Sequence, residues 1–339
     1  MAVPLRMLAG ALATTAAASA LAPPASGLQY LSFYGSNVSM QHEWLSLAVD
    51  DGATADAFSR YSIPSMLPMP VVGVLEGRWG VPGYDGHNNG TDLAPGWEAV
   101  LTRFAQEEVL PRLANKTAIG VFLGDELCCH NSTCWHHQLY PLAAKLRSLL
   151  PASAMLWEND CGDSIAGGCD AGRPACEKPL DRFPDALDWV SIDMYDGYAP
   201  GGNGSAEAAN VRAWATKHLF PRMNPRQKIV VVPGTFACSN TSYISVADSS
   251  QSVVAKLRAY MEWGKFEPRM AAICPWHFNT RHHMQHEPPC DMRLGAVDMP
   301  DVLSELASMG QWIKAHRRRT ATTASMLPMA TAGARTGAR

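Results

Sequence analysis

Lys228-Ile229-Val230-Val231-Val232-Pro233-Gly234-Thr235-Phe236 shows the strand pattern of this chain most clearly. Four consecutive Ile and Val residues with no polar alternation describe a strand covered on both faces, which is the habit of parallel strands lying between layers. Similar short apolar, β-branched or aromatic runs occur at 29–34, 62–68, 118–126, 154–159, 187–195 and 270–278. Helical periodicity lies between them, near 40–59, 96–114, 135–150, 205–220 and 250–264, with a last segment near 301–316. Seven or eight β-α units in about 290 residues predict an α/β chain folded as a single-domain (β/α)8 TIM barrel over 27–316. The eighth strand has two candidates, 294–297 and 71–75. An open doubly wound sheet is the competing architecture, but no G-x-G-x-x-G follows a strand.

Composition narrows the class. Among 339 residues, 47% are hydrophobic and 17% charged, which is enough apolar material for a large core and too much for a disordered chain. With 28 Lys+Arg against 31 Asp+Glu and no basic stripe before residue 317, nucleic acid is not an expected partner. The run 7–22 follows Arg6, consists mostly of Ala and Thr, and ends in small residues. That layout predicts a secretory signal peptide over 1–22, with an uncleaved anchor as the alternative. No other segment reaches the roughly 18 uninterrupted apolar residues of a membrane span, so no membrane contact is expected after cleavage.

Export is supported by two further features. Six of the eleven Asn residues open an N-x-Ser/Thr sequon: Asn37, Asn89, Asn115, Asn131, Asn203 and Asn240. Six of the nine Cys residues lie between Cys128 and Cys176, which in an exported chain reads as a disulfide framework. Zinc is the competing account, but the repeated C-x2-C spacing of structural sites is missing. Cys274, inside an apolar run, is the candidate for a buried free thiol. The expected location is therefore extracellular or the secretory lumen. From Arg317-Arg318-Arg319 onward the sequence is rich in Ala, Thr, Gly and Arg without a visible period. The segment 317–339 reads as a disordered tail, or as a basic tail that touches an anionic polymer.

In a (β/α)8 barrel the chemistry sits at the C-terminal ends of the strands. Those ends carry Tyr34, then Asp125-Glu126, Trp157-Glu158-Asn159-Asp160, Asp193-Met194-Tyr195-Asp196 and Trp276-His277-Phe278-Asn279. Glycosidic hydrolysis uses this inventory: one carboxylic acid protonates the leaving oxygen, and a second group stabilises or attacks the anomeric carbon. Glu126 is the candidate acid, because Asp125 beside it disfavours a second negative charge. Asp193 and Glu158 are the alternatives for the second carboxylate. Strand alternation puts Asp193 and Tyr195 on one side. Tyr34, Trp157, Tyr195 and Trp276 are candidate sugar platforms, and His277 and Asn279 candidate hydroxyl partners. The loops at 70–95, 159–186 and 279–293 are expected to wall the cleft. No organic cofactor is implied.

The segment Val121-Phe122-Leu123-Gly124-Asp125-Glu126 resembles the His-x-Gly-Gly-Asp-Glu strand end of family 20 β-N-acetylhexosaminidases. Trp157-Glu158 loosely echoes that family's Trp-x-Glu strand end, and Tyr195 its tyrosine on a later strand. The resemblance implies that Asp125 orients a substrate acetamido group, that Glu126 is the general acid, and that the acetamido group itself is the nucleophile. Val121 stands where that family has His, and Leu123 where it has the first Gly. Without substrate assistance, Asp193 or Glu158 is the partner of Glu126 in a two-carboxylate scheme. Another large glycosidase group places a nucleophilic Glu on the strand before last, but no Glu closes 228–236 or 270–278.

Two other classes compete. His277, His282, His283 and His286 cluster near Glu287 and Asp291, which raises a metal-dependent hydrolase, although no H-E-x-x-H helix is present. A barrel that has lost turnover persists as a lectin-like carbohydrate-binding protein. Neither G-x-S-x-G nor G-x-x-x-x-G-K-[ST] occurs.

Overall fold

The computed structural model describes residues 27–33, 38–49, 52–75, 93–128, 135–167, 179–193, 204–238, 246–276, 278–279, 281–282 and 292–326. Eight parallel strands make one sheet: β1 (Tyr30–Leu31), β2 (Ala48–Val49), β3 (Ser65–Pro68), β4 (Ala118–Asp125), β5 (Met155–Cys161), β6 (Trp189–Asp193), β7 (Lys228–Val232) and, after the short β8 (Ala237–Cys238), β9 (Met270–Ile273). From β2 to β7 each pairs with the next, β7 pairs with β9, and β9 returns to pair with β1. The ring closes between β1 and β2 without a regular ladder. There the Leu31 carbonyl accepts bonds from Ser46 N and Leu47 N at 3.0 and 3.2 Å, and Leu31 N donates to Ser46 Oγ at 2.8 Å. This is the (β/α)8 barrel expected.

Alternation along the strands sorts the core into two layers. The inner layer takes Tyr30, Val49, Met66, Phe122, Trp157, Trp189, Val230 and Ala272, one side chain from each barrel strand. Aromatic rings fill most of that space, with Phe122 and Trp157 centred 4.5 Å apart and Trp189 lying 5.5 Å from Tyr30. The outer layer takes Val121, Leu123, Leu156, Val190, Ile192, Ile229, Val231 and Ile273. These pack beneath helical residues such as Leu101, Leu142, Leu257 and Leu306. Ile229 and Val230 thus serve opposite layers, which is why Ile229 to Val232 carries no polar position.

The eighth strand is neither of the two candidates. It is Ala48–Val49, inside the 40–59 stretch expected to be helical, which instead divides into a turn of helix at Val38–Gln41, the strand, and a helix at Gly52–Ser59. Leu45, Ser46, Leu47, Ala48 and Val49 are all buried, and a short run buried all round has no period to distinguish strand from helix. Leu294 belongs to a separate antiparallel sheet that joins β10 (Arg281–His282), β11 (Met292–Leu294) and β8. Val72 and Leu75 make isolated bridges only.

The last helix also departs from expectation. It spans Pro300–Met326, so the triple arginine and the following residues to 326 are helical instead of irregular. Ala and Arg are strong helix formers, and they extend a helix already anchored by Leu306, Met309 and Ile313. The Arg317 guanidinium lies over the Tyr30 ring at 4.5 Å, at the end of the barrel away from the strand C-termini. The remainder of the tail, 327–339, and the signal segment 1–22 lie outside the described residues. Cys274 is buried and forms no disulfide, as expected, and Cys128 and Cys161 are each disulfide-bonded. No helix among the described residues is long and apolar enough to cross a membrane.

Candidate active site

The strand end with the most unusual backbone is that of β4. Its pairing with β5 runs regularly from Gly120 to Phe122, which opposes Trp157, and then slips so that Asp125 opposes Asn159. Three steps on one strand against two on the other make a bulge, a device that re-aims side chains. Glu126 then takes φ 51°, left-handed territory that a non-glycine residue adopts at a cost. Its N–H still donates to Asn159 O at 2.8 Å, so the strained residue stays tied to the sheet. Gly124 permits the turn: a Cβ there would lie 2.6 Å from Leu127 Cδ2, and Leu127 folds back into the core. Cys128 N donates to Asp160 Oδ2 at 2.9 Å, which fixes the far side of the turn.

This backbone presents two adjacent carboxyl groups. Asp125 is reached by solvent and Glu126 is partly covered, yet burial by surrounding protein raises both above the ordinary carboxylate range. For Asp125, donation from Asn159 partly offsets the burial. For Glu126, burial is the larger cause and the Asp125 charge the second, and together they push it up to about 7. A carboxyl with that value holds its proton near neutrality and can donate it.

Behind the pair runs a file of polar groups across three strands. Asn159 Nδ2 lies 2.6 Å from Asp125 Oδ1, Asn159 Oδ1 lies 2.6 Å from Ser191 Oγ, and Trp157 Nε1 donates to Ser191 Oγ at 2.8 Å. Asn159, Ser191 and Trp157 are all buried. The sequence reading did not select Asn159 or Ser191 as site residues. Their signal was parity: each stands two residues beyond an inward Trp, at 157 and 189.

The other candidates are distributed unevenly. Trp157 is fully buried in the barrel interior and is not a sugar platform. Glu158 is 1% exposed and shares strand parity with Leu156 of the outer layer, so it is not brought to the same side as Asn159, which bonds Asp125. Both expectations failed because a polar letter beside Trp says nothing of which layer it enters. Asp193 closes β6 in register with Cys161. Trp276 is half-buried, bridges β9 to Gly234 beyond β7, and meets Phe236 edge-on at 5.2 Å. Asn279 is exposed just beyond it. Tyr34, Tyr195 and His277 lie outside the described residues, as do His283, His286 and most of the three loops named as cleft walls. Among the described residues, no three His, Cys, Asp or Glu side chains are grouped to hold a metal.

No protein-family model matches the chain. No curated protein matches it either. Solved structures do. The chain is similar to a GH2 β-galacturonidase from Eisenbergiella tayi bound to galacturonate, with TM-score 0.51 and 11% identity over 80% of this chain and 46% of that one. It is similar to a β-glucuronidase from an uncultured Clostridium sp., with TM-score 0.53 and 9% identity over 86% and 53% of the two chains. The exo-β-1,4-mannosidase Op5Man5 from Opitutaceae bacterium strain TAV5 gives 0.51 and 14% over 82% and 54%. The chain thus spans about half the length of the proteins it matches. At these identities the likeness establishes the barrel fold.

Proposed function

We propose that this chain is a glycoside hydrolase in which Glu126 is the general acid. The carrying observation is the enclosed Asp125–Glu126 pair at the end of β4, with Glu126 pushed up to about 7. A glycosidic oxygen leaves as an alcohol only if it receives a proton, and Glu126, pushed up to about 7, keeps one on a large fraction of molecules at neutral pH. The glycosidases named above support the reading by fold and by the location of chemistry at strand ends. Asp193 is the proposed second carboxylate. Trp276 and Asn279, with Tyr34, Tyr195 and His277, are proposed to contact the sugar. An N-acetylhexosamine substrate is the finer proposal, and it rests on Gly124-Asp125-Glu126 alone; in that case Asp125 would orient the acetamido group. The signal segment, the sequons and the clustered cysteines support export as a glycosylated, disulfide-containing protein.

The test is sugar release from a broad panel of glycosides, including uronides, mannosides and N-acetylhexosaminides. Wild type and Glu126→Gln are compared, each with and without chelator. Hydrolysis that collapses in the variant and ignores chelator supports both the class and the acid. Full activity in the variant sinks the assignment of Glu126. Binding without turnover in wild type replaces the enzyme with a lectin-like barrel, and loss with chelator replaces it with a metallohydrolase.

A further inference from the structure

We propose that Ser191 and Trp157 are positioning residues that act through Asn159, holding its amide with Nδ2 toward Asp125. The use assigned to this relay rests on the glycosidase reading, but its existence does not. The structure places Asn159 Oδ1 against Ser191 and Nδ2 against Asp125, and the donors and acceptors match in that orientation. An indole N–H only donates, so Ser191 Oγ accepts from Trp157. The hydroxyl has one proton and two oxygen neighbours, Asn159 Oδ1 at 2.6 Å and Glu158 O at 3.3 Å. Spending that proton on the longer contact would set two acceptors 2.6 Å apart, so it goes to Asn159 Oδ1. The Asn159 oxygen is thereby committed, and its NH2 faces Asp125 Oδ1 at 2.6 Å.

An amide turned this way favours the anion of Asp125. The reversed amide would bring oxygen against oxygen and require Asp125 to be protonated. A file that begins at an indole in the barrel core therefore ends by keeping negative charge beside the proposed acid, where charge repulsion helps keep Glu126 protonated. The charged neighbours on every adjoining strand are few. Glu126 follows Asp125 on β4. On β5, Glu158 and Asp160 have the opposite parity to Asn159, and Asp160 accepts from the Cys128 and Cys161 N–H groups. On β6, Asp193 ends the strand two residues beyond Ser191. The last residues of β3, Leu67 and Pro68, are uncharged.

Carboxyl-detected NMR titration of the full chain tests this without any substrate. In Ser191→Ala the Glu126 midpoint should fall by about half a unit to one unit and that of Asp125 should rise, because the amide is free to turn. Ser191→Thr, which keeps the hydroxyl, should restore both. Unchanged midpoints in a folded Ser191→Ala overturn the relay. If that variant does not fold, the wild-type Asn159 side-chain amide decides. Its 15N and 1H shifts should follow the Asp125 titration and its protons should exchange slowly, and shifts indifferent to Asp125 overturn the proposal. Failure here leaves the glycosidase reading standing. Absence of hydrolysis, conversely, removes that reading and leaves the relay intact.

Discussion

The ends of β4 and β7 face the same side of the barrel and are built on opposite plans. At β4 the ladder slips, Glu126 occupies left-handed backbone, and two carboxyls stand side by side. At β7 the strand ends in Pro233-Gly234-Thr235, where Trp276 N donates to Pro233 O and Thr235 N donates to Trp276 O. That end is also braced from behind. Lys256 donates to Gly234 O at 3.1 Å and pairs with Glu207 at 2.6 Å, both side chains being buried. One strand end stores strain and titratable charge, whereas the other places its ionic groups in the helical layer. The difference teaches that polar content alone does not mark a site; what marks it is polar groups held where solvent and a ligand can reach them.

The largest effect is expected at Glu126. Glu126→Gln should lower kcat by about 10²–10⁴-fold with little change in KM, measured on whichever glycoside wild type cleaves. Wild-type activity should fall as pH rises through about 7, because the folded value of Glu126 is raised and the protonated form is lost above it. A pH–rate profile lacking that basic limb would falsify the acid assignment.

On the β7 side the expected effect is on stability. Lys256→Met removes the cation facing Glu207 in the core, and should cost about 3–5 kcal/mol in urea unfolding. Pairing it with Glu207→Leu should recover most of that loss. An equal loss in the single and double variants would show that the brace acts by packing instead of charge.

Smaller effects sharpen the contrast. Glu126→Gln should stabilise the fold above pH 7 by on the order of 2 kcal/mol, since an ionised Glu126 is disfavoured where it sits. Below about pH 4 that gain should vanish, because the carboxyl is then protonated in both folded and unfolded chains. Gly124→Ala should cost about 1–2 kcal/mol through the contact with Leu127, and should lower activity more than a change that size elsewhere on β4. Arg258→Ala, which breaks an exposed pair with Glu305, should change stability by at most about 0.5 kcal/mol.

The barrel was legible in the sequence, because runs such as Ile229 to Val232 fit best between two apolar layers and seven or eight β-α units favour a closed ring over an open doubly wound sheet. The sequence also marked Asp125 and Glu126, since two acids ending an apolar strand are conspicuous in one dimension. The tertiary structure alone decided the rest. Ala48–Val49 became a strand only because Pro64 and Leu31 offered backbone partners on either side. Trp157 and Glu158 were drawn into the two core layers by the parity of β5, while Asn159, next in sequence, was carried to Asp125. The polar file from Trp157 to Asp125 joins residues 32–34 positions apart, and such bonds exist only where neighbouring strands fall into register.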